Sequence, residues 1–187
     1  MIKDKQETRI KRGHIALMKH PETALYSGVM LMGNTEVVDA SFTAYTDGVN
    51  KKYSRSFLEK ITSEPMIRGL ILHENLHVAL KQVAFGKTMF KENPKMANLA
   101  ADFVVNDIIV NITGTVAGSS ERIVELPEGG VHDEMFHNWS MREVYNYLKK
   151  HAKPKCKSGG NGEPQQGQGN EPSEGGTQNN DEDWDTV

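Results

Sequence analysis

The chain has 187 residues and a single cysteine, Cys156. No disulfide can close within it, and a reducing compartment suits that usage. Long apolar runs are also missing. None approaches the roughly 20 residues that a membrane span requires. Behind the charges of Met1-Ile2-Lys3-Asp4-Lys5-Gln6 there is no apolar segment, so the start does not read as a secretory signal. A cytoplasmic protein that does not cross a membrane is expected. The body also lacks an excess of positive charge. Residues 153–187 hold three lysines against seven carboxylates, a net of −4, which leaves +1 on residues 1–152 of the total −3. A nearly neutral body offers no electrostatic footprint for nucleic acid. The cluster Lys5, Arg9, Lys11 and Arg12 reads as the solvated face of a helix. Finally, the last fifth lacks material for a core. From Lys153 onward Gly, Gln, Asn, Pro, Ser and acidic residues dominate, with only Cys156, Trp184 and Val187 to bury. Residues 1–152 are therefore expected to form one domain, and 153–187 a disordered acidic tail or linker.

Within the domain, punctuation and periodicity place the elements. Lys5 to Lys19 favours helix, and His20-Pro21 ends it, because a residue before proline avoids helical angles. Leu25–Met32 is apolar. Gly33-Asn34 reads as a turn, Glu36–Tyr45 as a strand, Asp47-Gly48 as a second turn and Lys51–Ser54 as a short strand after it. Thr62 or Ser63 then caps a helix with Pro65 in its first turn. That helix is apolar around most of its circumference and should be buried. Gly86 and Lys87 interrupt the pattern, and Asn93-Pro94 opens another helix. Residues 112–139 read as irregular, and a loop of that length in a compact domain is usually functional. Ser140-Met141-Arg142-Glu143 is a capping box that starts a last helix. The fold class is α+β.

The buried helix carries His73-Glu74-Asn75-Leu76-His77. Residues four apart stack on one helical face, so His73 and His77 can present two imidazole nitrogens to one metal ion. Glu74 can reach a water beside that ion. Neutral nitrogen donors, an open position and an adjacent carboxylate are what a zinc hydrolase needs. Two histidines satisfied by hydrogen bonds are the plainer alternative. A catalytic zinc usually takes three protein ligands, so a third must come from elsewhere. Asp102 is the first choice, because its charge on an apolar helix is costly to bury unpaired. His132 and His137, both in the long loop, are its rivals. Asn98, Asp102 and Asn106 form a polar stripe four residues apart. The two asparagines can brace the metal ligands or make ordinary interhelical bonds.

His73–Leu80 together with Asn98–Asn106 resembles the metallopeptidase domain of bacterial and phage proteins that often carry a von Willebrand A-like domain behind it. Thr43–Gly48, Leu126–Gly129 and Ser140–Leu148 resemble further segments of that family, so the likeness runs from about Leu17 to Leu148. The resemblance implies a zincin-like fold, with a small sheet against the metal-bearing helix and a second helix completing the site. It implies Asp102 as the third zinc ligand. The expected function is zinc-dependent hydrolysis of a peptide or protein, with His73, His77 and Asp102 holding Zn2+ and Glu74 as general base. His132, His137 and Tyr45 are candidates to stabilise the oxyanion, and Thr43–Thr46 to pair with an extended peptide. A non-catalytic, zinc-stabilised interaction module is the alternative. The family's second domain lies outside this sequence, so a protein partner is expected to engage the tail or that domain.

Overall fold

The structure is a computed structural model, and it describes residues 4–152. The tail expected at 153–187 lies outside the described residues. The order of elements begins with helix α1 (Lys5–Lys19), a 3-10 turn (Ala24–Tyr26) and the one-turn helix α2 (Ser27–Met30). Strands β1 (Thr35–Val38), β2 (Ala44–Thr46) and β3 (Lys51–Ser54) follow, then helices α3 (Arg55–Lys60), α4 (Glu64–Ala79), α5 (Gln82–Phe85), α6 (Lys87–Glu92) and α7 (Pro94–Val110). A second 3-10 turn (Glu134–Phe136) precedes the last helix, α8 (Met141–His151). The class is α+β.

The three strands make one small sheet in the order β1-β3-β2. β3 runs parallel to β1, with Val37 opposite Tyr53, and antiparallel to β2, with Tyr45 opposite Lys52. The single strand expected over Glu36–Tyr45 is therefore two strands. Asp39–Thr43 leaves the sheet so that β3 can enter between its predecessors. The turn at Asp47 is held by that carboxylate, which accepts from the amides of Val49 at 2.9 Å and Asn50 at 2.7 Å. Gly48 adopts a left-handed φ of +92° there, a conformation that side chains disfavour.

Caps fix the helices that matter for the site. Ser63 accepts from Met66 N at the start of α4, and Asn93 accepts from Met96 N at 3.1 Å at the start of α7. The capping box at Ser140 and Glu143 is formed. α4 is buried along nearly its whole length, from Ile67 through Val78. It packs against α1, α7 and β2. Its core side includes Ile67, Leu70, Ile71, Leu72 and Leu76, with Leu17, Leu58 and Tyr53 against them. A second cluster joins α7 to α8 through Ala97, Ala100, Val144 and Tyr145 and an aromatic group of Phe103, Phe136, Trp139 and Tyr147. The first helix pattern stops earlier than Gly86. α4 ends at Ala79, and Lys81, at φ +52°, turns the chain into α5.

Although irregular, the segment after α7 is tied down. Arg68 of α4 donates to the carbonyls of Ile123 at 2.5 Å and Arg122 at 3.0 Å and pairs with Glu121. Glu125 N donates to Pro65 O at 3.1 Å, so this segment runs directly along the helix. Gly69 makes that approach possible, since a Cβ there would overlap the Glu125 carbonyl. At Gly13 of α1 a Cβ would instead meet the end of the Ile71 side chain. Gly69→Ala should therefore lower stability in urea denaturation by about 1–3 kcal/mol, the usual range for overpacking. Gly13→Ala should cost less, because a side-chain methyl can turn where a backbone carbonyl cannot. Equal losses would mean that the loop yields as readily as the side chain.

Candidate metal centre

α4 and α7 cross so that three donor atoms converge. His73 Nε2 and His77 Nε2 stand 3.0 Å apart, and Asp102 Oδ1 lies 3.7 Å from the first and 3.5 Å from the second. All three residues are buried. Among the described residues no other His, Cys, Asp and Glu group brings three donors within 4.8 Å of one another. Donors arranged tetrahedrally at about 2.0–2.1 Å around one ion stand about 3.3–3.4 Å apart, close to these separations. Glu74 is fully buried in the same turn of α4.

The far side of each imidazole decides its protonation. His73 Nδ1 lies 2.8 Å from Asn106 Oδ1, and the same amide donates through Nδ2 to Val131 O at 2.8 Å. His77 Nδ1 lies 2.5 Å from Gln82 Oε1, and that amide donates through Nε2 to Ala101 O at 3.3 Å. Each backbone carbonyl can only accept, so it holds the NH2 of its amide and turns the amide oxygen toward the histidine. Each Nδ1 therefore carries a hydrogen, and each Nε2 presents a lone pair to the other. Two lone pairs facing one another at 3.0 Å require a positive charge between them. A single proton can serve two of the three converging donors, whereas a metal ion serves all three. The chemistry of the donor set thus fits a bound cation.

A family model described as "Putative metallopeptidase domain" matches residues 8–185. The chain belongs to that family. None of the curated proteins and none of the solved structures compared with the chain matches it. The match extends beyond Leu17–Leu148, the span that carried the resemblance, and reaches into the residues after α8.

Within this metallopeptidase-domain family member, the residues singled out from sequence separate into two groups. His73, His77 and Asp102 come together. Asn98 donates to Asp102 Oδ2 at 3.2 Å, and Asn106 braces His73, so both asparagines of the stripe serve the donor set. His132 and His137, the rivals for the third ligand, are placed elsewhere. Their ring nitrogens sit at Asp107, one residue beyond Asn106 on α7. Asp102 meets the two imidazoles because it lies one turn before Asn106 on the face toward α4, whereas Asp107 is rotated about 100° from Asn106. Gln82 went unnoticed from sequence. The only signal was its place five residues after His77, and it needed the left-handed turn at Lys81 to bring it under that ring. No helix among the described residues is long and apolar enough to cross a membrane.

Gln82→Leu keeps the volume near His77 but removes the acceptor for Nδ1–H. Metal affinity, measured by competition with a chromogenic chelator, should fall about 10–100-fold. An unchanged affinity would show that Gln82 does not set the His77 ring.

Proposed function

We propose that this chain is a zinc-dependent peptidase of zincin-like architecture, with His73, His77 and Asp102 as the zinc ligands and Glu74 as the general base. The observation that carries the reading is the convergence of His73 Nε2, His77 Nε2 and Asp102 Oδ1 at 3.0–3.7 Å from one another, with Asn106 Oδ1 and Gln82 Oε1 against the outer ring nitrogens. Imidazole and carboxylate donors in a compact three-ligand set suit zinc. When bound, zinc supplies Lewis acidity toward a carbonyl and acidifies water.

The chain's own residues do the rest. Asn98 holds Asp102 Oδ2, leaving Oδ1 turned toward the imidazoles. Glu74 takes a proton from water on its carboxylate and passes it to the departing amine. Glu74 is fully buried beside the two imidazoles, so its carboxylate is kept away from bulk solvent. β2 is an edge strand lying against α4, which suits pairing with an extended peptide. The substrate is a peptide or protein, the setting is cytoplasmic, and residues 153–187 are the segment offered to a protein partner.

A second reading, a non-catalytic zinc-stabilised interaction module, has one observation in its favour. His73 is 1% exposed, Glu74 0%, His77 3% and Asp102 7%, burial that also suits a structural ion. The fourth coordination position separates the two. Exchangeable water there, seen in the spectrum of the cobalt-substituted protein, favours catalysis, and a fourth protein ligand favours structure.

Glu74→Gln should retain zinc and lose proteolysis by about 10²–10⁴-fold. Persistent proteolysis with zinc still bound would show that Glu74 is not the base. If no zinc copurifies with the wild type and added zinc leaves its Tm unmoved, the metal reading itself fails.

A further inference from the structure

Asp107 lies in the last turn of α7 and is buried, its side chain 9% exposed. A carboxylate there faces the negative end of the helix dipole, where an anion is disfavoured. Burial adds to the cost unless positive charge is near. Arg122 is close in the chain fold, but its guanidinium donates to the carbonyls of Ile112 at 2.7 Å and Val110 at 3.4 Å. The groups that reach Asp107 come from the long loop and the end of the helix. His137 Nδ1 is 3.1 Å from both carboxylate oxygens, and His132 Nε2 is 3.5 Å from Oδ1. Asn111 Nδ2 donates to Oδ1 at 3.2 Å, and Asn138 N to Oδ2 at 3.5 Å.

We propose that Asp107, His132 and His137 form a second, weaker divalent-cation site that takes zinc or a similar first-row transition ion. The donors are the same types as at the first site, two imidazoles and a carboxylate, a set that favours such ions over magnesium or calcium. The 3.5 Å between His132 Nε2 and Asp107 Oδ1 equals the 3.5 Å between His77 Nε2 and Asp102 Oδ1. It is long for a charge-assisted hydrogen bond and close to the spacing of two ligands on one ion. The second set is not preformed, because its three donors do not all fall within 4.8 Å of one another. The His137 side chain is 53% exposed and has room to reorient toward an ion held by Asp107 and His132. The ion therefore binds more weakly than at the first site, on the order of 10–100-fold.

The second site stands on its own residues and does not depend on the peptidase reading. It meets the first site through one path. Val131, next to His132, supplies the carbonyl that orients the Asn106 amide, and Asn106 sets the tautomer of His73. An ion at Asp107 clamps the segment from Val131 to His137 and so holds that carbonyl in place.

The test is equilibrium dialysis of the metal-free full chain against zinc, in wild type and three variants. Wild type should bind two equivalents, one tight and one weaker. His132→Ala/His137→Ala should keep the tight equivalent and lose the weaker one. His73→Ala/His77→Ala should do the reverse. Asp107→Asn, which preserves the shape of the carboxylate, should also lose the weaker equivalent if the double variant folds poorly. With the tight site filled by zinc, substoichiometric cobalt(II) should selectively broaden the His132 and His137 ring resonances. A weaker equivalent that survives both the double variant and Asp107→Asn, or a wild type that binds only the equivalent lost in His73→Ala/His77→Ala, overturns the proposal. That last result would leave the peptidase reading intact. A wild type whose zinc is lost only on changing His132 and His137 would do the opposite.

Discussion

Two imidazole nitrogens held 3.0 Å apart with their lone pairs inward are the constraint on which the site depends. Such an arrangement is unfavourable by itself and persists because the surroundings prescribe it. Asn106 and Gln82 fix the outer nitrogens, and two backbone carbonyls fix those amides in turn. The prescription is rigid because both histidines and both amides are buried, where a misplaced polar group would lose its partner without gaining water. The result is a buried set of two imidazoles and a carboxylate enclosed by apolar packing, a donor set that suits a cation.

The same burial shapes the rest of the fold. α4 is covered by α1, α7 and β2, and then by the segment around Glu125. Arg68 and Gly69 on successive positions permit that last layer. The arginine supplies donors to carbonyls that would otherwise lack partners in an irregular strand, and the glycine lets the strand come close. The small sheet joins this packing through β2 against α4 and through Tyr53 of β3 in the core.

The long connection after α7 belongs to the same scheme. It is anchored by Arg68 at one end and by Asp107 near the other, with Val131 between them braced by Asn106. A stretch without regular structure is held in position by side chains because its backbone groups have few partners of their own. Its contact with Asn106 places it one hydrogen-bond step behind His73.

Local chemistry determined much of this from the sequence alone. The His-Glu-x-x-His spacing put two imidazoles on one helical face, Ser63, Asn93 and Ser140 marked three helix starts, and the stripe Asn98–Asp102–Asn106 announced a polar seam on α7. Each of these depends on residues within a few positions of one another, where the helical repeat alone sets the geometry. What only the tertiary structure decided were the choices between equals. Asp102 and not His132 or His137 meets the two imidazoles, because the crossing of α4 and α7 selects one face of α7. Gln82 becomes a brace because a single left-handed residue, Lys81, turns it back under His77. The strand expected over Glu36–Tyr45 divides because β3 must enter between β1 and β2. Such choices depend on where two distant segments pack, and no local periodicity carries that information.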